Sequence, residues 1–199
     1  SADTLYERGF RFLVGLAPPA STYFRGVFEW VREGGLASVR VALLYGARGG
    51  FPAAIADGAL RWAVEKGFEV VLKRPYPVST IDLNRLAVEL RDLEPDLILG
   101  AGRFEEDLAF ARALREVRLK PRAVALVAAG VSAFGEALGQ SAEGFLGPSQ
   151  WEVEGGHRPD LGLGSEEFAD RLNARLGGSA DYPGAQAYAA CLIAARCLE

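Results

Sequence analysis

Short, continuously apolar runs alternate along this chain with longer segments whose apolar residues recur at helical spacing. The apolar runs lie near residues 39–45, 68–74, 96–101 and 122–128. A run that is apolar on both faces is typical of a strand in a parallel sheet that helices cover on both sides. Since helical segments separate the runs, the pattern predicts βαβ units and a three-layer, doubly wound α/β fold with a parallel sheet.

Capping and stop signals place the helices between these strands. The predicted helix starts carry a polar residue or a proline, namely Ser21, Pro52, the pair Ser79 and Asp82, and Ser165. Apolar helical faces are formed by Phe24, Val27, Phe28 and Val31, by Leu83, Leu86, Ala87 and Leu90, and by Phe110, Ala113, Leu114 and Val117. Gly34, Gly67 and Pro95 end three of the helices.

Further elements lie outside these units. Residues 10–19, FRFLVGLAPP, predict a strand closed by two prolines, and GFLGPSQW predicts a last, short strand-like segment. A glycine-rich polar loop covers roughly residues 152–164. The sequence ends inside the helical pattern GAQAYAACLIAARCLE, which has no stop signal. We therefore expect a piece excised from a longer chain.

Composition and charge narrow the class of protein. The chain has 199 residues and a net charge of −4, and its 22 basic residues form no block, which disfavours a nucleic-acid surface. No apolar run approaches the roughly 18 residues that a membrane span needs, and the first residues do not form a signal peptide. Methionine is absent. That bias is typical of a thermophile or of a GC-rich genome.

Groups that catalyse reactions or bind metals are scarce. Cys191 and Cys197 lie six residues apart on one predicted helix, about 240° apart around its axis, so they cannot form a disulfide with each other. We expect both to be small core residues. His157 is the only histidine and falls in an exposed turn. There is no G-x-S-x-G motif and no cluster of metal ligands. The inventory favours binding without chemistry, with no catalytic residue, metal or cofactor.

A glycine-rich turn, GARGGFP, follows the apolar run at 39–45 and opens a helix. It lacks the Gly-Lys-Ser/Thr ending of a Walker loop. It also lacks the spacing of a dinucleotide site, and the next strand ends in Lys73-Arg74 where that site needs an acidic residue. Ligands of doubly wound sheets bind beyond the carboxyl ends of the strands. The turn is therefore either the edge of another binding site or only a tight connection.

A second turn, GAGRFEED, also follows a strand and opens a helix. Arg103 in this turn is either a ligand for a carboxylate or a solvated side chain near Glu106 and Asp107. Aromatic residues at or just past strand ends either wall a pocket or cap the core; they are Phe51, Phe104, Phe134 and Trp151.

Four segments of the chain, taken in order, resemble the periplasmic substrate-binding proteins of branched-chain amino-acid ABC transporters. They are GFEVVLKRPYP, TIDLNRLAVELRDLEPDLILGAGRFEEDLAFARALREVRLKPRAVAL, SAEGFLGPSQWE and YPGAQAYAACLIAA. The resemblance covers nearly the whole chain and implies the type I periplasmic-binding-protein fold, in which two α/β lobes close on a ligand. It implies that only the second lobe is present. Residues 1–19 are then a crossover segment and first strand, and residues 20–199 are the ligand-binding lobe, truncated within its last helix.

The same resemblance implies which residues contact a ligand. Phe51, Arg103 and Phe104 fall where family members have ligand contacts on strand-end loops, and Trp151 lies at a further strand end. Ala129 falls where the amino-acid binders have an acidic residue that holds the ammonium group. Its apolar side chain favours amide or small carboxylate solutes over a free α-amino acid.

Three functional hypotheses remain open at this point. The first is a periplasmic or extracytoplasmic receptor for amino-acid-like, amide or small carboxylate solutes. It feeds an ABC transporter permease, and the missing first lobe is its other partner. The second is a ligand-sensing domain of a regulator with the same fold. The third is a flavodoxin-like enzyme. In the first two, apolar surface that faced the other lobe is expected to favour self-association of this chain.

Overall fold

The structure is a computed structural model that describes residues 3–35, 38–76, 80–155 and 158–199. The predicted capping residue Ser79 and the lone histidine, His157, lie outside the described residues. Within the described residues, no helix has the length and apolarity that crossing a membrane requires.

The chain divides into two compact units. The larger unit, here called the sheet unit, contains Pro18–Pro148 and the segment that ends at Leu13. The smaller unit, here called the helical unit, contains Val14–Ala17 and Ser149–Glu199. Each unit is described separately below.

Five parallel strands form the centre of the sheet unit. They are β1 (Arg40–Tyr45), β2 (Glu69–Pro75), β3 (Leu97–Ala101), β4 (Ala123–Leu126) and β5 (Phe145–Leu146). Their order in the sheet is β2-β1-β3-β4-β5, and every neighbouring pair is parallel. The predicted parallel α/β sheet is confirmed. The fourth strand is shorter than predicted because a 3₁₀ turn, Val127–Gly130, follows it.

Helices cover both faces of this sheet. The helices of the sheet unit are α1 (Thr4–Glu7), α2 (Arg25–Glu33), α3 (Gly50–Lys66), α4 (Thr80–Leu93), α5 (Phe104–Glu116) and α6 (Ser132–Leu138). Alternate residues of β1 enter different core clusters, because successive side chains of a strand point to opposite faces. Val41 and Leu43 pack with α2 and α3, whereas Ala42 and Leu44 pack with α4 and α5. This arrangement confirms the three layers.

The start of α2 differs from the prediction that Ser21 caps it. Ser21 lies in a 3₁₀ turn, Ala20–Thr22, and α2 begins later, at Arg25. The Ser21 carbonyl instead accepts a hydrogen bond from the Trp62 indole at 3.2 Å. Gly58 of α3 packs directly against the Ser21 backbone. A tertiary contact with α3 therefore overrides the local capping signal.

The strand predicted over residues 10–19 is wrong. No strand of the described residues pairs with this segment, and Phe12 is 92% exposed. An apolar sequence favours a strand only where a neighbour satisfies its backbone hydrogen bonds. The division of the chain at residue 19 into a crossover segment and a lobe stays a prediction.

The helical unit contains α7 (Ser165–Leu176) and α8 (Tyr182–Arg196). Cys191 and Cys197 are exposed, so their predicted place in the core is wrong. Helix α8 contributes no buried residue, although it is rich in apolar residues. In the helical unit, the buried apolar residues are Phe168 and Ala169 of α7.

Candidate functional site

The strand order reverses between β1 and β3. Because the strands are parallel, all of them end on the same side of the sheet. We call this the carboxyl edge, and the opposite one the amino edge. At the reversal, the Gly46 N–H after β1 donates to the Ala101 carbonyl of β3 at 2.9 Å. The two turns singled out in the sequence are therefore direct neighbours. Open α/β sheets bind ligands in the crevice at such a switch point.

The first of these turns needs glycine for reasons within the fold. Gly49 precedes α3 with a φ of +88°, a conformation that other residues rarely adopt. A Cβ on Gly46 would lie 2.8 Å from the Glu106 carboxylate and 3.4 Å from the Pro52 ring. A tight connection therefore accounts for these two glycines. The turn also presents an exposed arginine, Arg48, that the sequence reasoning did not select.

Arg103 occupies the N-cap position of α5 in the second turn. Its backbone N–H donates to Glu106 Oε2 at 2.8 Å, while its side chain is exposed. Within the described residues, the Arg103 guanidinium has no hydrogen bond and no ion pair, and the same holds for Arg48. The carboxylates of Glu106 and Asp107 accept backbone N–H groups and do not pair with the Arg103 guanidinium. The guanidinium faces solvent, where an anion can reach it.

Two of the candidate aromatic residues flank the switch point. Phe51, in the first turn of α3, is half-buried and meets the Tyr23 ring edge to face at 5.3 Å. Phe104 begins α5 and packs, also half-buried, against the core on the other face of the sheet. Phe134 is different, because it is buried against Phe145 at 5.7 Å. For Phe134 the interpretation as a core residue is therefore correct.

Ala129 lies in the 3₁₀ turn after β4 and is half-buried. The chain after β5 passes so close that a Cβ on Gly147 would overlap the Ala129 backbone. The neighbouring residue, Ala128, donates its backbone N–H to a carboxylate, Asp107 Oδ2, at 2.9 Å. A negative group therefore lies near Ala129, but it is enclosed by the fold.

Asp107 has a structural role at the carboxyl edge that the sequence analysis did not predict. Its side chain is fully buried, with an exposure of 0%. Oδ1 accepts hydrogen bonds from the Tyr76 hydroxyl at 2.9 Å and from the Gly102 N–H at 2.8 Å, and Oδ2 accepts the Ala128 N–H. Tyr76 follows β2, Gly102 follows β3 and Ala128 follows β4. One carboxylate thus contacts three strand ends.

The environment of this carboxylate shifts two pKa values. Burial raises the pKa of Asp107 to about 7, although the three hydrogen bonds that it accepts act in the opposite direction. Burial, followed by the nearby charge of Asp107, raises the pKa of the Tyr76 hydroxyl well above its ordinary value. Among the residues that the structure describes, no basic group pairs with this buried carboxyl or hydroxyl.

The glycines that end β3 make room for this pair. A Cβ on Gly102 would lie 2.6 Å from Asp107 Oδ1 and 2.7 Å from Tyr76 Cε2, and a Cβ on Gly100 would overlap the Tyr76 hydroxyl. A sequence signal for Asp107 did exist. It precedes Phe110, Ala111 and Leu114 at i+3, i+4 and i+7, the spacing of one buried helical face.

Trp151 belongs to the helical unit. Its ring meets Phe168 edge to face at 5.5 Å, and Phe168 stacks on Tyr188 at 5.1 Å. These rings line an apolar cavity of about 210 Å³ that Leu163 and Leu192 also border. A contact between Trp151 and a ligand stays a prediction.

Comparison with known sequences identifies the family. The family model described as periplasmic binding protein matches residues 3–199. A relative from Brucella abortus, Leu/Ile/Val-binding protein homolog 8, is 25% identical over 130 residues. That alignment covers 62% of this chain and 32% of the relative. The chain thus matches about a third of the length of that relative.

Solved structures show the same fold. A leucine-binding protein from Thermotoga maritima superposes with a TM-score of 0.77 at 15% identity, covering 96% of this chain and 53% of that one. A leucine-, isoleucine-, valine-, threonine- and alanine-binding protein from Brucella ovis gives 0.70 at 18% identity, covering 86% and 43%. An ABC transporter substrate-binding protein from Desulfitobacterium hafniense in complex with Leu gives 0.69 at 20%, covering 96% and 52%. The chain belongs to the periplasmic binding protein family.

Proposed function

We propose that the carboxyl edge of the sheet unit is one wall of a ligand cleft in a solute-binding protein that feeds an ABC transporter. The observation that carries the proposal is the exposed guanidinium of Arg103, unpaired within the described residues, at the switch point of the sheet. The half-buried residues Phe51 and Phe104 begin the helices that follow the two strands of this switch point. Aromatic walls with a few polar groups are typical of small-molecule sites. Membership of a family of binding proteins supports the same reading.

We further propose that the chain supplies the second lobe of the cleft, residues 20–199, and that another lobe supplies the facing wall. The chain spans 53% of the Thermotoga maritima structure, which fits one lobe of two. The partners of the whole protein are then a small solute, that first lobe and a transporter permease, in a periplasmic or extracytoplasmic compartment. With one wall absent, roughly half of the ligand contacts are lost, so the isolated chain is expected to bind its solute weakly and to self-associate.

The ligand class follows from the charges at the carboxyl edge. We expect an amide-bearing or small carboxylate solute to bind better than a free α-amino acid. Ala129 offers no negative charge, and both oxygens of the nearby Asp107 already accept hydrogen bonds from the protein. A buried ammonium group without a partner loses several kcal/mol, whereas Arg103 favours an anion.

The test is a solute screen on the full-length protein by thermal shift, with benzoate, acetamide, urea and L-leucine, followed by calorimetric titration. For an anionic solute, Arg103→Ala should weaken binding by about 1.5–3 kcal/mol, the range of a hydrogen bond to a charged group. Arg112→Ala is the matched control, because Arg112 is an exposed arginine further along α5. Tight binding of L-leucine, or unchanged binding after Arg103→Ala, contradicts the proposed ligand class. Neighbouring genes for a kinase or amidase in place of a permease would favour sensing over transport.

A further inference from the structure

Among the described residues, two backbone hydrogen bonds join groups that follow one strand to a neighbouring strand at the carboxyl edge. The Tyr76 N–H donates to the Tyr45 carbonyl at 2.7 Å, and the Gly46 N–H donates to the Ala101 carbonyl. Each of these bonds joins a turn only to the adjacent strand. The Asp107 carboxylate, in contrast, contacts groups that follow three different strands.

We propose that Asp107 is a positioning residue of the ligand edge, whose carboxylate fixes Tyr76, Gly102 and Ala128, which follow β2, β3 and β4, in a single arrangement. Gly102, which donates to Oδ1, directly precedes Arg103, and Ala128, which donates to Oδ2, directly precedes Ala129. A single peptide unit therefore links each anchored amide to a candidate ligand residue. The inference rests on the proposed function only in identifying this edge as the ligand edge.

Only an ionised carboxylate offers an acceptor to both backbone amides at once. Both oxygens of an ionised carboxylate accept hydrogen bonds, whereas an asparagine replaces one oxygen with an NH₂ donor. In either orientation of the amide, that donor would face a backbone N–H, of Gly102 or of Ala128. Protonation of the carboxyl similarly blocks one acceptor. The titratable groups that face Asp107 within the described residues are Tyr76 and Glu106.

Two-dimensional ¹H–¹⁵N NMR on the 199-residue chain, without ligand, tests this role. The amide resonances of Gly102 and Ala128 should follow one common titration near pH 7, and this titration should be absent from Asp107→Asn. Hydrogen exchange of at least one of these amides should accelerate about tenfold or more in Asp107→Asn, relative to the strand amides of Leu43 and Leu99. Normalisation to strand amides removes any change in global stability. The amide resonances of Arg103 and Ala129 should also change position in Asp107→Asn.

Asp96→Asn is the matched control, because Asp96 accepts the Arg40 N–H at the opposite edge of the same sheet. It should leave the Gly102 and Ala128 amides unchanged. Tyr76→Phe should retain both backbone anchors and their protection. Unchanged relative exchange in Asp107→Asn, or separate titrations of the two amides, would overturn the proposal. Since no solute is present, this outcome is independent of whether any solute binds the full-length protein.

Discussion

Each edge of the sheet has an aspartate that accepts backbone N–H groups, but the two carboxylates are stabilised in different ways. At the amino edge, Asp96 accepts the Arg40 N–H at 3.0 Å and the Arg122 guanidinium at 3.1 Å, and its side chain is 27% exposed. At the carboxyl edge, Asp107 is fully enclosed, and its donors within the described part of the chain are all neutral. Solvent and a cation stabilise the first charge, whereas fixed dipoles alone stabilise the second.

A cavity of about 680 Å³ lies at the amino edge, bordered by Trp30, Val39, Asp96 and Arg122. The proposed ligand residues lie at the other edge. A cleft between two lobes is enclosed only when both walls are present, so cavity volume within one lobe is a poor guide to its position. The switch point of the sheet is the better guide, because open α/β sheets bind ligands there.

The largest effect is expected for removal of the enclosed carboxylate. Asp107→Ala should lower the free energy of unfolding by about 3–5 kcal/mol, because it leaves buried donors unsatisfied and creates a cavity. Asp96→Ala should lower it by only about 1 kcal/mol, since water reaches the amide that it exposes. Urea denaturation of both variants measures the difference. Equal losses at the two edges would show that the enclosed site is not special.

The pH dependence of stability should depend on Asp107. Burial raises its pKa from 3.8 to about 7 in the folded protein, so the folded state binds more protons than the unfolded state between these values. The stability that the Asp107 carboxyl contributes is therefore fully present below about pH 4. As the pH rises through 7, the free energy of unfolding falls by a few kcal/mol. The wild-type protein should lose stability relative to Asp107→Asn over this range. Parallel stability profiles of the two proteins in urea would contradict this prediction.

A methyl group on Gly102 should also be destabilising. Its Cβ would lie 2.6 Å from Asp107 Oδ1, so Gly102→Ala should lower the free energy of unfolding by about 1–3 kcal/mol through overpacking. Gly26→Ala in α2 is the control, because no atom lies within 4 Å of its added Cβ. That substitution should stabilise the helix by up to about 1 kcal/mol. If thermal unfolding shifts in the same direction for both variants, the crowded geometry is wrong.

The smallest effect is expected for the tyrosine hydroxyl. Tyr76→Phe should lower the free energy of unfolding by about 1 kcal/mol, because Asp107 Oδ1 retains the Gly102 N–H as a donor. Tyr45→Phe, at the end of β1, is the control, since its hydroxyl has no partner among the described residues. Chemical denaturation should place Tyr45→Phe within about 0.5 kcal/mol of wild type. A larger loss for Tyr45→Phe than for Tyr76→Phe would count against the Tyr76–Asp107 bond.

The sheet could be predicted because its pattern is local. Every residue of β3 is buried, and a run that is apolar on both faces already predicts such a strand. The predictions were wrong where the local structure depends on residues that are distant in the sequence. Ser21 is held by Trp62, forty-one residues away, and the apolar segment near Phe12 has no strand beside it among the described residues.

The site was only partly predictable for the same reason. Position at a strand end made Phe51, Arg103 and Phe104 candidates, and their contact with a ligand stays a prediction. That position was not sufficient to decide which acidic residue of the EED segment turns inward, because that depends on Tyr76, thirty-one residues away. A buried charge that is stabilised by backbone amides leaves little trace in composition or charge pattern.

The shared carboxylate has a consequence for redesign of the proposed ligand edge. Here an insertion between β3 and α5 would pull Gly102 away from the same oxygen pair that holds Ala128 after β4. The two loops therefore form a single unit for engineering. Side-chain exchanges at Arg103 and Ala129 leave this unit intact, whereas changes of loop length should be made in both turns together.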